Sequence, residues 1–279
     1  MNKVKFHWSY PINVDIDTEK NVDVYIDCFD KRPVPAGDIR IIILQEPFFY
    51  NRSVQSFKDL YEFVGSNPDC YTHLLTYYDV VLKTHPKSIF FLATTSWMKG
   101  YVSPQKNFSV STLVGGKNNP VFPGYAVRHE LWRKRDQIII PKDFYLSTEC
   151  RWSEGDYINH KSLQGSIVPF SKAPLFDSQF HIAIENTYLD NVFSEKLVDC
   201  FQTKTVPIHY GFPNIGDFFN ADGVFVAHNV TDIINICNKL TPQTYDSMMP
   251  AIEDNYNRSH KYCVYDEQIK NIIIKLING

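Results

Sequence analysis

The sequence contains no apolar run of the roughly 18–20 residues that a membrane-spanning helix requires. Its opening segment, MNKVKFHWSYPINVDID, also lacks the continuous apolar core of a signal peptide. A soluble, cytoplasmic protein is the expectation. Basic charge is not in excess, with 28 Lys and Arg against 31 Asp and Glu for a net −3. No electrostatic footprint for nucleic acid follows, and RNA and DNA partners are not expected. The six cysteines form no C-x-x-C pair, and the nine histidines show no metal-ligand spacing. These absences favour reduced, buried thiols over a zinc site or a disulfide framework. No strand-like run is followed by G-x-G-x-x-G, which sets aside a dinucleotide-dependent oxidoreductase. A D-x-D triplet, Asp15-Ile16-Asp17, arises easily by chance in a chain this acidic, and no metal cofactor is expected from it.

What remains is a 279-residue chain, 44% hydrophobic, long enough for one large core or two smaller ones. Strand-like runs (Val4–Trp8, Val22–Ile26, Ile39–Leu44, Val80–Leu82, Ile89–Leu92) alternate with a helical pattern over Val54–Val64. Such alternation predicts a parallel α/β sheet. The polar stretch Met98–Asn107 reads as an interdomain linker. After it, a second α/β unit runs from Phe108 to about Tyr262. A final amphipathic helix over Glu267–Ile277 gathers Ile269, Ile272, Ile273 and Leu276 on one face that must dock somewhere. The predicted domains are residues 1–100, residues 101–265 and a C-terminal helix, residues 266–279, that returns to the first domain.

Function is written most densely between Phe180 and Gly211, FHIAIENTYLDNVFSEKLVDCFQTKTVPIHYG. An apolar strand runs into a polar turn (Glu185, Asn186, Thr187), then a helix opens at Ser194-Glu195-Lys196, and a second strand ends in Tyr210-Gly211. Strand, helix, strand is a crossover unit, and parallel sheets take ligands beyond the carboxyl ends of their strands. Ser194 is the expected N-cap, with Leu197, Val198 and Phe201 on the buried face. Lys196 then sits in a first turn, where the helix dipole disfavours a cation by roughly 0.3–1 kcal/mol unless an anion lies nearby. A phosphate at that terminus satisfies both the free N–H groups and the lysine. A solvated surface lysine is the alternative.

This segment resembles the donor-binding signature of the α1,3-fucosyltransferases, glycosyltransferase family 10. Ile182, Ile184, Glu185, Asn186, Thr187, Glu195, Lys196, Val206, Pro207 and Gly211 fall in order and in register with it. One position departs, Val192, where the family has tyrosine. The run from Phe108 to Ile140 extends the resemblance as a strand, a Gly115-Gly116 turn and a helix carrying Arg128. Ile39–Leu44, ending in Gln45-Glu46-Pro47, is similar to the strand end that bears the family's catalytic carboxylate. The resemblance spans about Arg40 to His228 and implies an α/β fold of GT-B type, two Rossmann-like lobes with an interdomain cleft.

It also implies an inverting, metal-independent transfer of a sugar, L-fucose from GDP-fucose, onto a hydroxyl of an acceptor glycan. Glu46 is then the catalytic base, and Arg128 and Lys196 hold the donor diphosphate. Glu185, Asn186, Val192, Ser194, Glu195, Tyr210 and Gly211 surround the donor nucleoside and sugar, with Glu195 accepting from ribose hydroxyls. The partners are a nucleotide-sugar donor and a glycan acceptor, and no further cofactor is expected. Because of Val192, another GDP-sugar or a UDP-pentose such as UDP-xylose stays open as the donor. A carbohydrate-binding protein that has lost catalysis is the alternative from a different class. Read without the resemblance, Glu46 is a strand-end surface acid, Glu195 a charge favoured at a helix start, and Arg128 part of a solvated basic run with Arg133, Lys134 and Arg135.

Overall fold

The computed structural model of the protein describes residues 4–7, 12–27, 37–46, 62, 65–66, 68–101, 103, 105–148, 161–163 and 170–279. The chain divides into two compact units, Met1–Ala93 with Val264–Gly279, and Thr94–Cys263.

In the first unit the strands are Val4–His7 (β1), Val22–Ile26 (β2), Ile39–Leu44 (β3), His73–Thr76 (β4) and Ser88–Phe90 (β5). They form one parallel sheet in simple sequential order. Alternate residues of β2 and β3 (Val22, Val24, Ile26, Ile39, Ile41, Ile43) pack with Leu75 and with Ile269, Ile273 and Ile277 of the C-terminal helix Tyr265–Asn278. The i, i+4, i+8 spacing of those isoleucines places them on one stripe, which is what buries that helix against the sheet.

One expectation fails here, and another falls outside the described residues. Val80–Leu82 is not a strand but lies within the helix Asp79–Thr84 (α1), where only Val81 is buried and Asp79 pairs with Lys83 at 3.1 Å one turn on. A three-residue apolar run cannot tell strand from helix, and the strand is the preceding HLLT segment. The helix expected over Val54–Val64 falls, apart from Glu62, outside the described residues.

The second unit carries Asn107–Val114 (β6), Pro123–Lys134 (α2), Lys142–Ser147 (β7), Lys161–Leu163 (β8), Ser178–Ile184 (β9), Glu195–Gln202 (α3), Val206–Tyr210 (β10), Phe225–Val226 (β11), Val230–Cys237 (α4), Pro242–Ser247 (α5) and Met249–Ser259 (α6). Its strands are all parallel, in the order β11-β10-β9-β6-β7-β8. Both faces of β9 are covered: Phe180, Ile182 and Ile184 enter the larger core, while Ala183 joins Met98, Leu175, Phe176 and Cys200 on the other side.

Met98–Asn107 is not an interdomain linker. The division falls between Ala93 and Thr94, and Met98 is fully buried in the second unit. Asp199 anchors the segment by accepting from Ser96 Oγ at 2.7 Å, Trp97 N at 2.8 Å and Met98 N at 3.2 Å. Polar composition marked the stretch as a spacer, whereas its polar groups bond to distant parts of the same unit: Met98 N to Asp199, Ser103 Oγ to Asp177 at 2.9 Å and Lys106 Nζ to Thr205 Oγ1 at 2.6 Å. Among the described residues no helix is long and apolar enough to cross a membrane.

Candidate functional site

Strand order reverses at the β6–β9 pair, for β6 leads outward to β7 and β8, while β9 leads the opposite way to β10 and β11. Loops leaving two such strands diverge and open a crevice at their carboxyl ends, where open parallel sheets bind ligands. A cavity of about 450 Å³ lies there. Its wall includes Gly115, Gly116 and Lys117 after β6, Asn186 after β9, and Glu195, Lys196 and Asp199 on α3. Arg128 of α2 and Lys172 complete its charged lining.

Arg128 reaches the cavity because α2 starts hard against the loop after β9. Pro123 occupies the first turn of α2, and the Gly124 N–H donates to Asn186 O at 3.0 Å. A Cβ on Gly124 would stand 1.7 Å from the Glu185 carbonyl oxygen, so only glycine permits this approach. One turn later Arg128 is buried, donates through Nη2 to the Ile184 carbonyl and lies over the Tyr125 ring at 5.4 Å. Gly124→Ala should therefore force α2 away from β9 and carry Arg128 with it. The expected stability loss is about 1–3 kcal/mol, read from urea unfolding, together with weakened nucleotide binding. Unchanged unfolding and binding would contradict this account of α2.

The α3 end of the cavity is a chain of alternating charges. Ser194 caps α3, its Oγ accepting from Lys196 N at 3.3 Å, and Glu185 in turn accepts from Ser194 N at 2.9 Å and from Ser194 Oγ at 2.7 Å. Lys196 Nζ stands 3.0 Å from Glu195 and 3.7 Å from Glu185. Lys172 Nζ lies 3.9 Å from both Glu195 Oε1 and Asp199 Oδ2.

Burial opposes ionisation of Glu195, yet Lys196 and Lys172 outweigh it and hold the carboxyl down at about 2. Burial likewise works against the Lys196 cation, and Glu195 and Glu185 reverse the balance, raising it despite nearby Arg128. Asp199 goes the other way. Its burial dominates over Lys172 and the Ser96 hydroxyl and pushes the carboxyl up to about 6. His181, bonded through Nδ1 to Ser111 Oγ at 2.7 Å, is driven down to about 3 by burial and by Lys172 and Lys106, so it lines the cavity as a neutral ring.

No protein-family model matches the chain, and no curated protein matches it. Solved structures do. TarM aligns with a TM-score of 0.57 at 11% identity, covering 92% of this chain and 55% of TarM. An α,α-trehalose-phosphate synthase (UDP-forming) from Burkholderia xenovorans aligns at 0.53 and 9% identity, covering 94% of this chain and 74% of that one. An α1,3-fucosyltransferase with GDP-fucose aligns at 0.50 and 12% identity, covering 92% and 78%. The fold is that of the GT-B glycosyltransferases. This chain spans little more than half the length of TarM.

In this GT-B chain the structure brings Arg128, Asn186, Glu195 and Lys196 to one cavity. The basic run following Arg128 does not share its fate, since Lys134 pairs with Glu130 and Arg135 covers Trp132 while Arg128 is buried. Glu185 and Ser194 stand directly behind Lys196 rather than in the wall, and Glu185 packs against Gly211, where a Cβ would come within 2.6 Å of it. Tyr210 packs on Tyr188 at 5.5 Å. Among the described residues the wall does not include Val192, Tyr210 or Gly211. Glu46 belongs to the other unit, exposed at the carboxyl end of β3, with its backbone N–H donating to the Asp27 carboxylate at 3.1 Å. His209 is internal, its Nε2 accepting from Phe212 N at 3.1 Å. Among the described residues no group of three or more His, Cys, Asp or Glu is placed to hold a metal ion.

Sequence reasoning missed Lys172 and Asp199. Lys172 precedes a short 3-10 turn and carries no periodic signal. Asp199 did leave one: an acid inside the apolar run Leu197–Phe201 falls on the buried side of α3 and needs a partner there.

Proposed function

We propose that the protein is an inverting glycosyltransferase that moves L-fucose from GDP-fucose onto a hydroxyl of an acceptor glycan. The observation that carries this reading is the convergence of Arg128 and Lys196, contributed by separate helices, on one cavity at the strand-order reversal of a GT-B unit. Two cations lining one cavity match a pyrophosphate, Arg128 as a fork and Lys196 as a point charge at the start of α3. In this reading the side chains meet the diphosphate charge and no resident metal is required.

Glu195 accepts from ribose hydroxyls, Asn186 borders the transferred sugar, and Glu185 fixes Ser194 and Lys196 in place. Glu46 removes the acceptor proton as the acceptor oxygen attacks the anomeric carbon from the face opposite the diphosphate. The bond from that carbon to the diphosphate oxygen breaks, and the nucleoside diphosphate departs with the electron pair, its charge held by Arg128 and Lys196. One displacement inverts the anomeric centre.

A second donor class is retained on two observations. Val192 stands where the resembling family has tyrosine, and a UDP-forming synthase aligns with this chain no less well than the fucosyltransferase does. Thermal-shift titration with GDP, GDP-fucose, UDP and UDP-xylose separates the readings. GDP and GDP-fucose should raise the melting temperature, and a shift with UDP compounds alone would overturn the fucosyl assignment.

A further inference from the structure

Asp199 is 1% exposed, and its two oxygens are used unequally. Oδ1 accepts from Ser96 Oγ, Trp97 N and Met98 N, which fixes the carboxylate in one orientation. Oδ2 has no hydrogen-bond partner among the described residues, although Asp199 is part of the cavity wall. A buried, unpaired carboxylate oxygen is costly unless a ligand or water completes it. Lys172 Nζ lies 3.9 Å away, too far for a direct hydrogen bond, and Lys172 is only 7% exposed and lines the same cavity.

One oxygen atom, about 2.8 Å from each, would touch both Lys172 Nζ and Asp199 Oδ2 across that gap. The group must accept from the ammonium and donate to the carboxylate. A hydroxyl does both. Phosphate cannot donate to Oδ2 and would be repelled by it, and a nucleobase edge offering two adjacent N–H groups needs both carboxylate oxygens, of which one is already filled. A water satisfies the same geometry, and a ligand hydroxyl that reproduces its bonds can displace it without loss.

We propose that Lys172 and Asp199 form a hydroxyl-reading subsite of the cavity, in which one hydroxyl of the donor bridges Lys172 Nζ and Asp199 Oδ2. This rests on the nucleotide-sugar reading of the cavity. The hydroxyl belongs either to the ribose or to the transferred sugar. Because Lys172 is equally close to Glu195, the subsite sits directly beside the carboxylate assigned to the ribose.

The test is calorimetric titration of the wild type, Asp199→Asn and Lys172→Met with GDP and UDP, their 2′-deoxy and 3′-deoxy forms, GDP-fucose and UDP-xylose. Asparagine keeps the three bonds accepted by Oδ1 and turns the free acceptor into a donor. Removing its negative charge alone would tighten an anionic ligand, so weaker binding reports the lost hydroxyl contact. The subsite predicts weakening on the order of tenfold or more in both variants. If the hydroxyl is on the ribose, the plain diphosphate shows the loss and one deoxy form does not. If it is on the sugar, the loss is confined to the nucleotide sugar.

Lys172→Met must show the same pattern, and it decides the matter should Asp199→Asn fail to fold. Variants that bind every ligand as the wild type does, or that lose the same factor for all deoxy and parent ligands, overturn the subsite alone. A wild type that binds none of the nucleotides overturns the donor reading, and the subsite with it.

Discussion

Lys196→Ala should lower kcat by about 10²–10³-fold, the usual cost of losing one charge-stabilising contact in a water-poor site. The reason is local. Lys196 stands 3.0 Å from Glu195 and 3.7 Å from Glu185, and these acids hold it charged against the desolvation of the site. Without the lysine, Glu195 in the wall and Glu185 behind it lose their nearest cation, and the leaving diphosphate keeps Arg128 alone of its two. The variant therefore removes an attraction and exposes a repulsion in one change, and the donor KM should rise as kcat falls. Arg128→Ala should act in the same direction. Because both cations serve one anion, the double variant should lose less than the product of the two single losses. Single-turnover rates with melting temperatures measured in parallel check this, and a Lys196→Ala enzyme within threefold of the wild type would remove Lys196 from the chemistry.

The second large effect is expected at Glu46, where Glu46→Gln should reduce kcat by about 10²–10⁴-fold, the range for loss of a general base, with donor KM little changed. Glutamine keeps the side chain's size and the two backbone contacts of this strand end: the residue 46 N–H donates to Asp27, and its carbonyl accepts from Tyr78 OH at 3.2 Å. Asp27 is the nearest competitor for the role. Burial pushes its carboxyl up to about 7 in spite of the N–H groups of Gln45 and Glu46 that favour its charged form. If Glu46→Gln keeps more than a tenth of the wild-type kcat while Asp27→Asn does not, the proton goes to Asp27.

How much of this was legible beforehand follows from where the physics is local. The Phe180–Gly211 crossover could be read because strand period, N-cap and helical stripe are properties of neighbouring residues, and Ser194 does cap α3 as its sequence demands. Ile269 and Ile273 of the C-terminal helix were readable for the same reason, although Ile277 completes the buried stripe while Ile272 and Leu276, expected on that face, are only partly buried. Val80–Leu82 was misread because three apolar residues carry no period, and Met98–Asn107 because the acids that hold it, Asp199 at Met98 and Asp177 at Ser103, lie far along the chain. The cavity itself depends on strand order. Nothing in the sequence of β6 or β9 says that they are neighbours, and only that adjacency brings Gly115, Arg128 and Lys196 together. Lys172 is the extreme case, a residue whose significance comes wholly from the two carboxylates that tertiary structure places 3.9 Å away.

The most direct test of a pyrophosphate shared by Arg128 and Lys196 is calorimetric comparison of the nucleoside diphosphate with its monophosphate, in the wild type and in the Arg128→Ala and Lys196→Ala variants. The account predicts that the wild type binds the diphosphate at least about tenfold more tightly, and that either substitution largely erases the preference. Equal affinity for the two nucleotides in the wild type, or a preference that survives both substitutions, would contradict it.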